Sequence, residues 1–390
     1  MADIQDLLAR VESVGPLIRS EARAGELAGS VPAVVFDALR ERGVLNLVGP
    51  SEYGGQNVGP LDAIRVLEAI TYHDGSTGWA VMAGQMAGMV LPYVEVETGK
   101  ILCADGIPLM AGGGAPSGTA RRVDGGYVVT GRWSYASGIM HAKYAMAGVQ
   151  LADESGEPMR DDAGKPELRM ILTPVENVTF EGNWDVIGLR GTASIDYSIT
   201  ELFVPEGQVV DVYRGGPKVG GPTMGIAFSG WALLGHVQHA LGTARRAIEE
   251  LAAIGRAPNA RRGRLADNTR FRHDYAIAEA KARSARAWIL EVWGDIDQTV
   301  STGQLWTTRQ QTLAKASLIY STDISIEIAQ LAFTYGGGQT LRNGDAQRVF
   351  RDALAGGQHA WVSHDIYDDC ARELIGDAEG STWRREGLVP

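Results

Sequence analysis

Residues 112–138 read GGGAPSGTARRVDGGYVVTGRWSYASG, and the parsing of this stretch decides the rest of the chain. A glycine loop leads through an Asp124-Gly125-Gly126 turn into an alternating segment, with Tyr127, Val129 and Gly131 on one side and Val128, Thr130 and Arg132 on the other. That is the period of a half-buried strand. The segment ends at Trp133-Ser134-Tyr135-Ala136-Ser137-Gly138. Backbone so bare of side chain can come close to a flat polar ligand, and Trp133 and Tyr135 would supply apolar walls, which is the chemistry of a planar heterocycle site. A plain hairpin on a glycine turn is the competing reading.

Working outward, residues 2 to about 108 carry helical spacing. Leu7, Val11, Val14 and Ile18 form one stripe, Ser30-Val31-Pro32 starts a helix that stops at Gly43, and another helix spans Leu61 to Tyr72. Asp74-Gly75-Ser76-Thr77 then gives a turn and cap before the apolar run at Trp79. From Leu109 to Val210 the period is two, with short strands at Tyr127–Thr130, Tyr144–Val149, Leu168–Thr173, Val178–Phe180 and Ser194–Val204. Beyond Gly221 the helical period returns: Ala240, Ala244, Ile248 and Leu251 make one stripe, and Leu313 to Leu331 another. The expected architecture is α+β and mostly α. It comprises an N-terminal helical domain (1–108), a central antiparallel β-domain (109–212) and a C-terminal four-helix bundle (213–390).

Composition excludes several functions. The chain of 390 residues carries a formal charge of -11, which disfavours nucleic acid or an anionic membrane as partner. Arg261-Arg262-Gly263-Arg264 is too short to reverse this and reads as a solvated loop. Met1 to Arg10 lacks the features of a secretory signal, so a cytoplasmic protein is expected. The apolar run Trp79 to Val94 is too short for a bilayer, which needs about 20 residues. Cys103 and Cys370 are far apart, and the His236/His239 and His359/His364 pairs lack a completing ligand, so no metal is expected.

A second polar segment is Trp184-Asp185-Val186-Ile187-Gly188-Leu189-Arg190-Gly191-Thr192-Ala193-Ser194. It sets a cation, Arg190, and two hydroxyls, Thr192 and Ser194, beside glycines, a combination suited to a phosphate or ring carbonyl. A surface hairpin with an incidental arginine is the alternative. Gly336-Gly337-Gly338 is a longer run than a helix stop requires. Arg348 and Arg351 are expected to form buried ion pairs with Asp352.

The order helical domain, β-domain, bundle resembles the acyl-CoA dehydrogenase fold across essentially the whole chain. The marks are Gly54-Gly55, GRWSYASG at 131–138, VIGLRGTASIDY at 186–197 followed by Val204-Pro205-Glu206, and the triple glycine leading to QRVFRD at 347–352. Within that fold the chain is similar to the oxygenase components of two-component flavin-dependent monooxygenases. The shared features are Asp74-Gly75-Ser76-Thr77-Gly78-Trp79, W-S-Y-A-S-G, His141 three residues after Gly138, and His359 seven residues after Asp352. Many acyl-CoA dehydrogenases carry a glutamate base one residue beyond that histidine; here the position is Ala360.

The resemblance implies that a separate reductase supplies reduced FAD or FMN. O2 would then add at flavin C4a, and the resulting hydroperoxide would hydroxylate an aromatic or phenolic small molecule. It implies that Ser137 and the Ala136 backbone face flavin N5 or the C4 oxygen, with Gly114, Ser134, Trp133 and Tyr135 around them. Arg190, Thr192 and Ser194 would meet the flavin edge or phosphate, and Arg270, Gly337 and Gly338 the phosphate or adenine side, across a subunit interface of a homotetramer. His359 would be the acid/base, since an imidazole can take a phenolic proton or protonate the departing oxygen. His141, His73 and Trp79 are candidate substrate contacts. The alternatives are the same flavin chemistry on an acyl-CoA thioester, amine or heterocycle, or a true acyl-CoA dehydrogenase with bound FAD.

Overall fold

A computed structural model of the chain describes residues 3–258 and 263–379. Arg261 and Arg262 of the basic patch lie outside them. The chain opens with α1 (Ile4–Ala28), capped by Asp3 and stopped at Gly29 with φ 72°, and α2 (Ala33–Glu41), entered from Pro32. In α3 (Pro60–His73) proline takes the first turn, where its missing N–H costs nothing. Asp74 ends α3 and caps α4 (Gly75–Ala87), accepting the Thr77 N–H at 2.8 Å. The turn and cap expected there are present. Nearly all of α4 is buried, so it runs through the interior; α5 (Val96–Leu102) follows.

The sheet holds β1 (Met110–Val123), β2 (Gly126–Trp133), β3 (Tyr144–Ala152), β4 (Leu168–Pro174), β5 (Thr179–Phe180), β6 (Tyr197–Pro205) and β7 (Val209–Val210), in the order β5-β6-β2-β1-β3-β4-β7. Two expectations are corrected here. The sheet is mixed rather than antiparallel, because β1 runs parallel to β3. The glycine run at 112–114 is not a loop but part of β1. Its register with β3 skips between Gly113 and Gly118, and the carbonyls of Gly114 and Ala115 come within 2.4 and 2.6 Å of where a Cβ on Gly148 would stand. The glycines mark a bulge where two backbones touch, a use that alternation alone does not distinguish from a turn.

The remaining helices are α6 (Ala227–Arg256), α7 (Thr269–Ser301), α8 (Thr308–Gly336), α9 (Asp345–Gly356) and α10 (Ile366–Leu374). Thr307 and Gln310 form a capping box at the start of α8. The three long helices carry the expected stripes, and α9 and α10 complete the bundle. The first helices do not have a core of their own: Leu7, Ile18, Leu67 and Val81 share one apolar cluster with Trp231, Leu234, Trp293 and Leu318. The sheet has a separate core around Trp133, Tyr197 and Val149. Where the sheet, α4 and the bundle meet, polar side chains are buried. Among the described residues no helix is long and apolar enough to cross a membrane.

Candidate active site

The segment after β2 is strapped to the segment before β6. Ala136 N–H donates to Ile195 O at 3.2 Å and Gly138 N–H to Thr192 O at 2.8 Å. Three non-glycine residues in these two segments hold positive φ: Tyr135 (68°), Leu189 (53°) and Ala193 (47°). Such conformations persist where surrounding contacts enforce them, and they concentrate at functional sites.

Ser137 sits at the inner end of this strap. Its Oγ accepts the indole N–H of Trp79 at 3.1 Å and lies 2.8 Å from Ser194 Oγ. Having accepted from Trp79, the Ser137 hydroxyl keeps its O–H and one lone pair, so it can donate to or accept from Ser194 or a ring placed against the strap. Trp79 comes from α4 and in turn meets three imidazoles, His236 at 5.1 Å, His239 at 4.9 Å and His359 at 5.9 Å between ring centroids. The His236 and His359 rings overlap at 3.8 Å. The structure therefore joins Ser137, Ser194, Trp79 and His359 in one cluster.

His359 precedes a helical turn at Ala360–Val362, and its Nδ1 accepts the Trp361 N–H at 3.2 Å. The tautomer assigned from that bond carries its proton on Nε2, so the neutral ring offers a donor. His236 and His239 are the residues that sequence reasoning missed, having weighed them only as metal ligands. Both are buried on α6. Burial drives the pKa of His236 well below the usual imidazole value, reinforced by His359 and His239. Burial likewise lowers His239 to about 4, against the pull of the Asp352 carbonyl. Two neutral imidazoles therefore line the site, each with an Nδ1 that has no hydrogen-bond partner among the described residues. Two histidines three apart on an otherwise apolar helix face were the available signal. Among the described residues no three His, Cys, Asp or Glu side chains come together as a metal set.

Behind the histidines, His239 Nε2 lies 3.2 Å from Asp352 O, and Asp352 Oδ1 accepts the Leu189 N–H at 2.6 Å. The Asp352 carboxyl is pushed up to about 7, first by burial and then by Asp74, against the Leu189 N–H, Arg351 and Arg348. Arg348 and Arg351 form buried ion pairs, but with acids other than the expected Asp352. Arg348 faces Asp74 at 3.5 Å and Glu26 at 3.9 Å and also pairs with Asp345, while Arg351 pairs with Glu26.

Several expected contacts are corrected. Trp133 does not wall the site: it is 2% exposed inside the sheet, stacked on Tyr197 with its N–H on Gly148 O at 2.7 Å. The Ala136 N–H is already spent on Ile195. Thr192 is buried and its hydroxyl donates to Leu189 O at 2.8 Å, so it shapes the turn instead of reaching outward. Gly114 belongs to the β1 bulge, its carbonyl accepting from Tyr213 Oη at 3.1 Å. His141 stacks on Phe36 at 3.8 Å and reaches Val31 O at 2.9 Å, pinning α2 to the sheet. His73 faces Arg19 at 3.0 Å and Glu12 at 3.3 Å beside α1, and burial lowers it to about 4.

Other candidates remain available to a ligand. Ser134 and Tyr135 are exposed, Tyr135 against the edge of Trp184, and Arg190 is only loosely paired with Asp185 at 3.7 Å. Arg270 and the Gly337-Gly338 run stand at neighbouring helix ends, because Asp274 accepts from both Arg270 Nε (2.8 Å) and Tyr335 Oη (2.7 Å). The exposed outer end of the strap at Ser134 and Tyr135, the Ser137 hydroxyl at its inner end and the exposed Arg190 guanidinium fit a flat ring with polar edges and an anionic tail, as a flavin requires.

Residues 13–96 match the acyl-CoA dehydrogenase N-terminal domain family and residues 234–364 the acyl-CoA dehydrogenase C-terminal domain family. The chain is 30% identical to the indole-3-acetate monooxygenase of Pseudomonas putida, over 92% of this chain and 91% of that protein. The fold is shared with the 3-HSA hydroxylase of Rhodococcus sp. RHA1 (TM-score 0.86, 22% identity, 98% and 99% of the two chains). It is also shared with XiaF of a Streptomyces species, solved with FADH2 (TM-score 0.85, 19% identity, 99% and 97%). The chain belongs to the oxygenase components of two-component flavin-dependent monooxygenases, built on the acyl-CoA dehydrogenase fold.

Proposed function

We propose that this chain takes reduced flavin from a separate reductase and, with O2, hydroxylates a small aromatic molecule. The observation that carries the reading is the meeting of Ser137, Trp79, His236 and His359, which brings a buried hydroxyl and an oriented imidazole to one corner beside an indole face. Bound reduced flavin supplies two electrons and, with O2, the oxygen atom that is transferred.

The chain's own residues do the rest. The 134–138 strap and Ser137 would hold one face and edge of the ring, and Arg190 would meet its anionic portion. Trp79 and the neutral imidazoles exclude water and give an aromatic substrate a surface to stack on. The Nε2 side of His359 would serve the substrate oxygen or the oxygen left behind, since Nδ1 is taken by the Trp361 N–H. The reading extends to a homotetramer whose flavin sites are completed across subunits. The Arg270 side chain, 79% exposed beside the exposed Gly337 and Gly338, offers a face to a neighbouring subunit and supports this. Acyl-CoA dehydrogenation is disfavoured because the position after His359 is Ala360, whose methyl group is no base.

The test is anaerobic mixing with reduced FMN, and separately reduced FAD, then oxygenated buffer with phenols or indole-3-acetate, recording flavin absorbance, peroxide and product. Reoxidation slower than that of free flavin, with an oxygen atom from O2 in the product, is the expected result. Reoxidation at the free rate with no product refutes the reading, as does flavin reduction by an acyl-CoA without O2.

A further inference from the structure

Asp352 belongs to α9, but its groups reach three other parts of the fold. Its carboxyl Oδ1 accepts the Leu189 N–H at 2.6 Å, and its main-chain carbonyl lies 3.2 Å from His239 Nε2 on α6. Its Oδ2 lies against the first residue of α4, only 2.9 Å from where a Cβ on Gly75 would stand. Beside it, a Cβ on Gly188 would meet the Arg351 carbonyl at 2.0 Å. The 188–194 turn therefore rests directly on α9.

These contacts close into a ring that contains the site. Leu189 O accepts from both the N–H (3.1 Å) and the hydroxyl (2.8 Å) of Thr192. Thr192 O accepts the Gly138 N–H next to Ser137. Ser137 accepts from Trp79, Trp79 packs edge-on against His239, and His239 returns to Asp352. Leu189 holds φ 53°, a conformation the turn would not keep without an anchor. Asp352 is 2% exposed, so the Leu189 bond is made in the interior, where leaving the N–H without its acceptor is costly.

We propose that Asp352 is a positioning residue for hydroxylation. Its carboxyl fixes the Leu189 turn, its carbonyl fixes His239, and together they set the Ser137 hydroxyl, through Trp79, relative to the imidazoles. This rests on the monooxygenase reading above, since its consequence is the fraction of O2 that ends in product.

The test compares Asp352→Asn, which keeps an acceptor for Leu189, with Asp352→Ala, which does not, in full-length protein. Two quantities are read: the product formed per O2 consumed with reduced flavin, and amide hydrogen exchange at Leu189 and Gly138 without flavin. For Asp352→Ala, yield per O2 should fall about tenfold or more, the cost of a sub-ångström misplacement of reacting groups. Peroxide should rise to match, and exchange at both amides should quicken. Asp352→Asn should restore yield to within about twofold and keep the Leu189 amide protected. Should Asp352→Ala not fold, Asp352→Ser, too short to reach Leu189, takes its place. Unchanged yield or unchanged exchange in the short variant overturns the proposal, and so does an Asn variant as defective as it. A wild-type chain that makes no product would instead defeat the functional reading, leaving the exchange measurement to judge Asp352.

Discussion

Replacing Ser137 by alanine removes one oxygen atom, and the structure says what that atom holds. Trp79 is 8% exposed and its indole N–H donates to Ser137 Oγ at 3.1 Å, while Ser194 Oγ sits 2.8 Å from the same atom. In Ser137→Ala the indole N–H is buried without an acceptor, which costs about 1–3 kcal/mol, and Ser194 loses a neighbour worth about 1 kcal/mol or less. Trp79→Phe alone removes the donor and leaves Ser137 its bond to Ser194, at the expense of packing against the three histidines. In that background Ser137→Ala no longer strands a donor, so its cost should shrink to the Ser194 share. The coupling between the two changes should be about 1 kcal/mol or more, within the range found for residues in direct contact. The assay is urea unfolding of the four proteins at one pH and one protein concentration, so that any assembly contributes equally to all. If Ser137→Ala costs the same with and without the indole, the bond that defines the site does not exist as described.

Other outcomes follow from the same geometry. The Asp352 carboxyl, raised to about 7 from 3.8, binds its proton more tightly in the folded chain than in the unfolded one. Its contribution is therefore fully present below the unfolded value of 3.8 and is lost as pH rises through about 7. The charged groups acting on it are Asp74, Arg351 and Arg348, with His239 against its main-chain carbonyl. Unfolding midpoints of wild type and Asp352→Asn should diverge between acid and alkaline pH, and parallel curves would contradict the assignment. Trp133→Phe strands the buried Gly148 carbonyl, so it should lower stability by about 1–3 kcal/mol. Reduced-flavin affinity should stay unchanged; a large loss of affinity would return Trp133 to the site wall. Arg190→Ala should weaken binding of reduced flavin severalfold, and added salt should weaken the wild type toward the same level. A salt-independent affinity equal in both proteins would remove Arg190 from the site.

Much of this was legible in the residues because it lies in local patterns. Asp74 before Thr77 announced a cap, Leu7 to Ile18 a stripe, and the W-S-Y-A-S-G run the strap, since each depends on neighbours a few positions away. The errors occur where a residue's meaning depends on a distant partner. The 112–114 glycines read as a loop because nothing near them shows that β3 will lie alongside with Gly148 at the contact. Trp133 read as a wall because an aromatic beside polar residues suits either a ligand or a core, and only the Gly148 carbonyl decides. His236 and His239 carried a spacing that fitted no metal, and their value emerged only when α4 delivered Trp79 and the segment after α9 delivered His359 to the same corner.

The apolar cluster that α1, α3 and α4 share with α6, α7 and α8 bears on how the protein is made. On the ribosome, the first helices emerge with their inner faces uncovered, and most of the surface that will cover them comes from Met224 onward, after the entire sheet. At synthesis rates of about 5–20 residues per second, that interval lasts on the order of ten seconds or more. Throughout it Leu7, Ile18, Leu67 and Val81 are exposed to whatever else is nearby. The nascent N-terminal third is thus the part of the chain most in need of a chaperone, and a prematurely ended product stopping before α6 should aggregate rather than accumulate as a folded fragment.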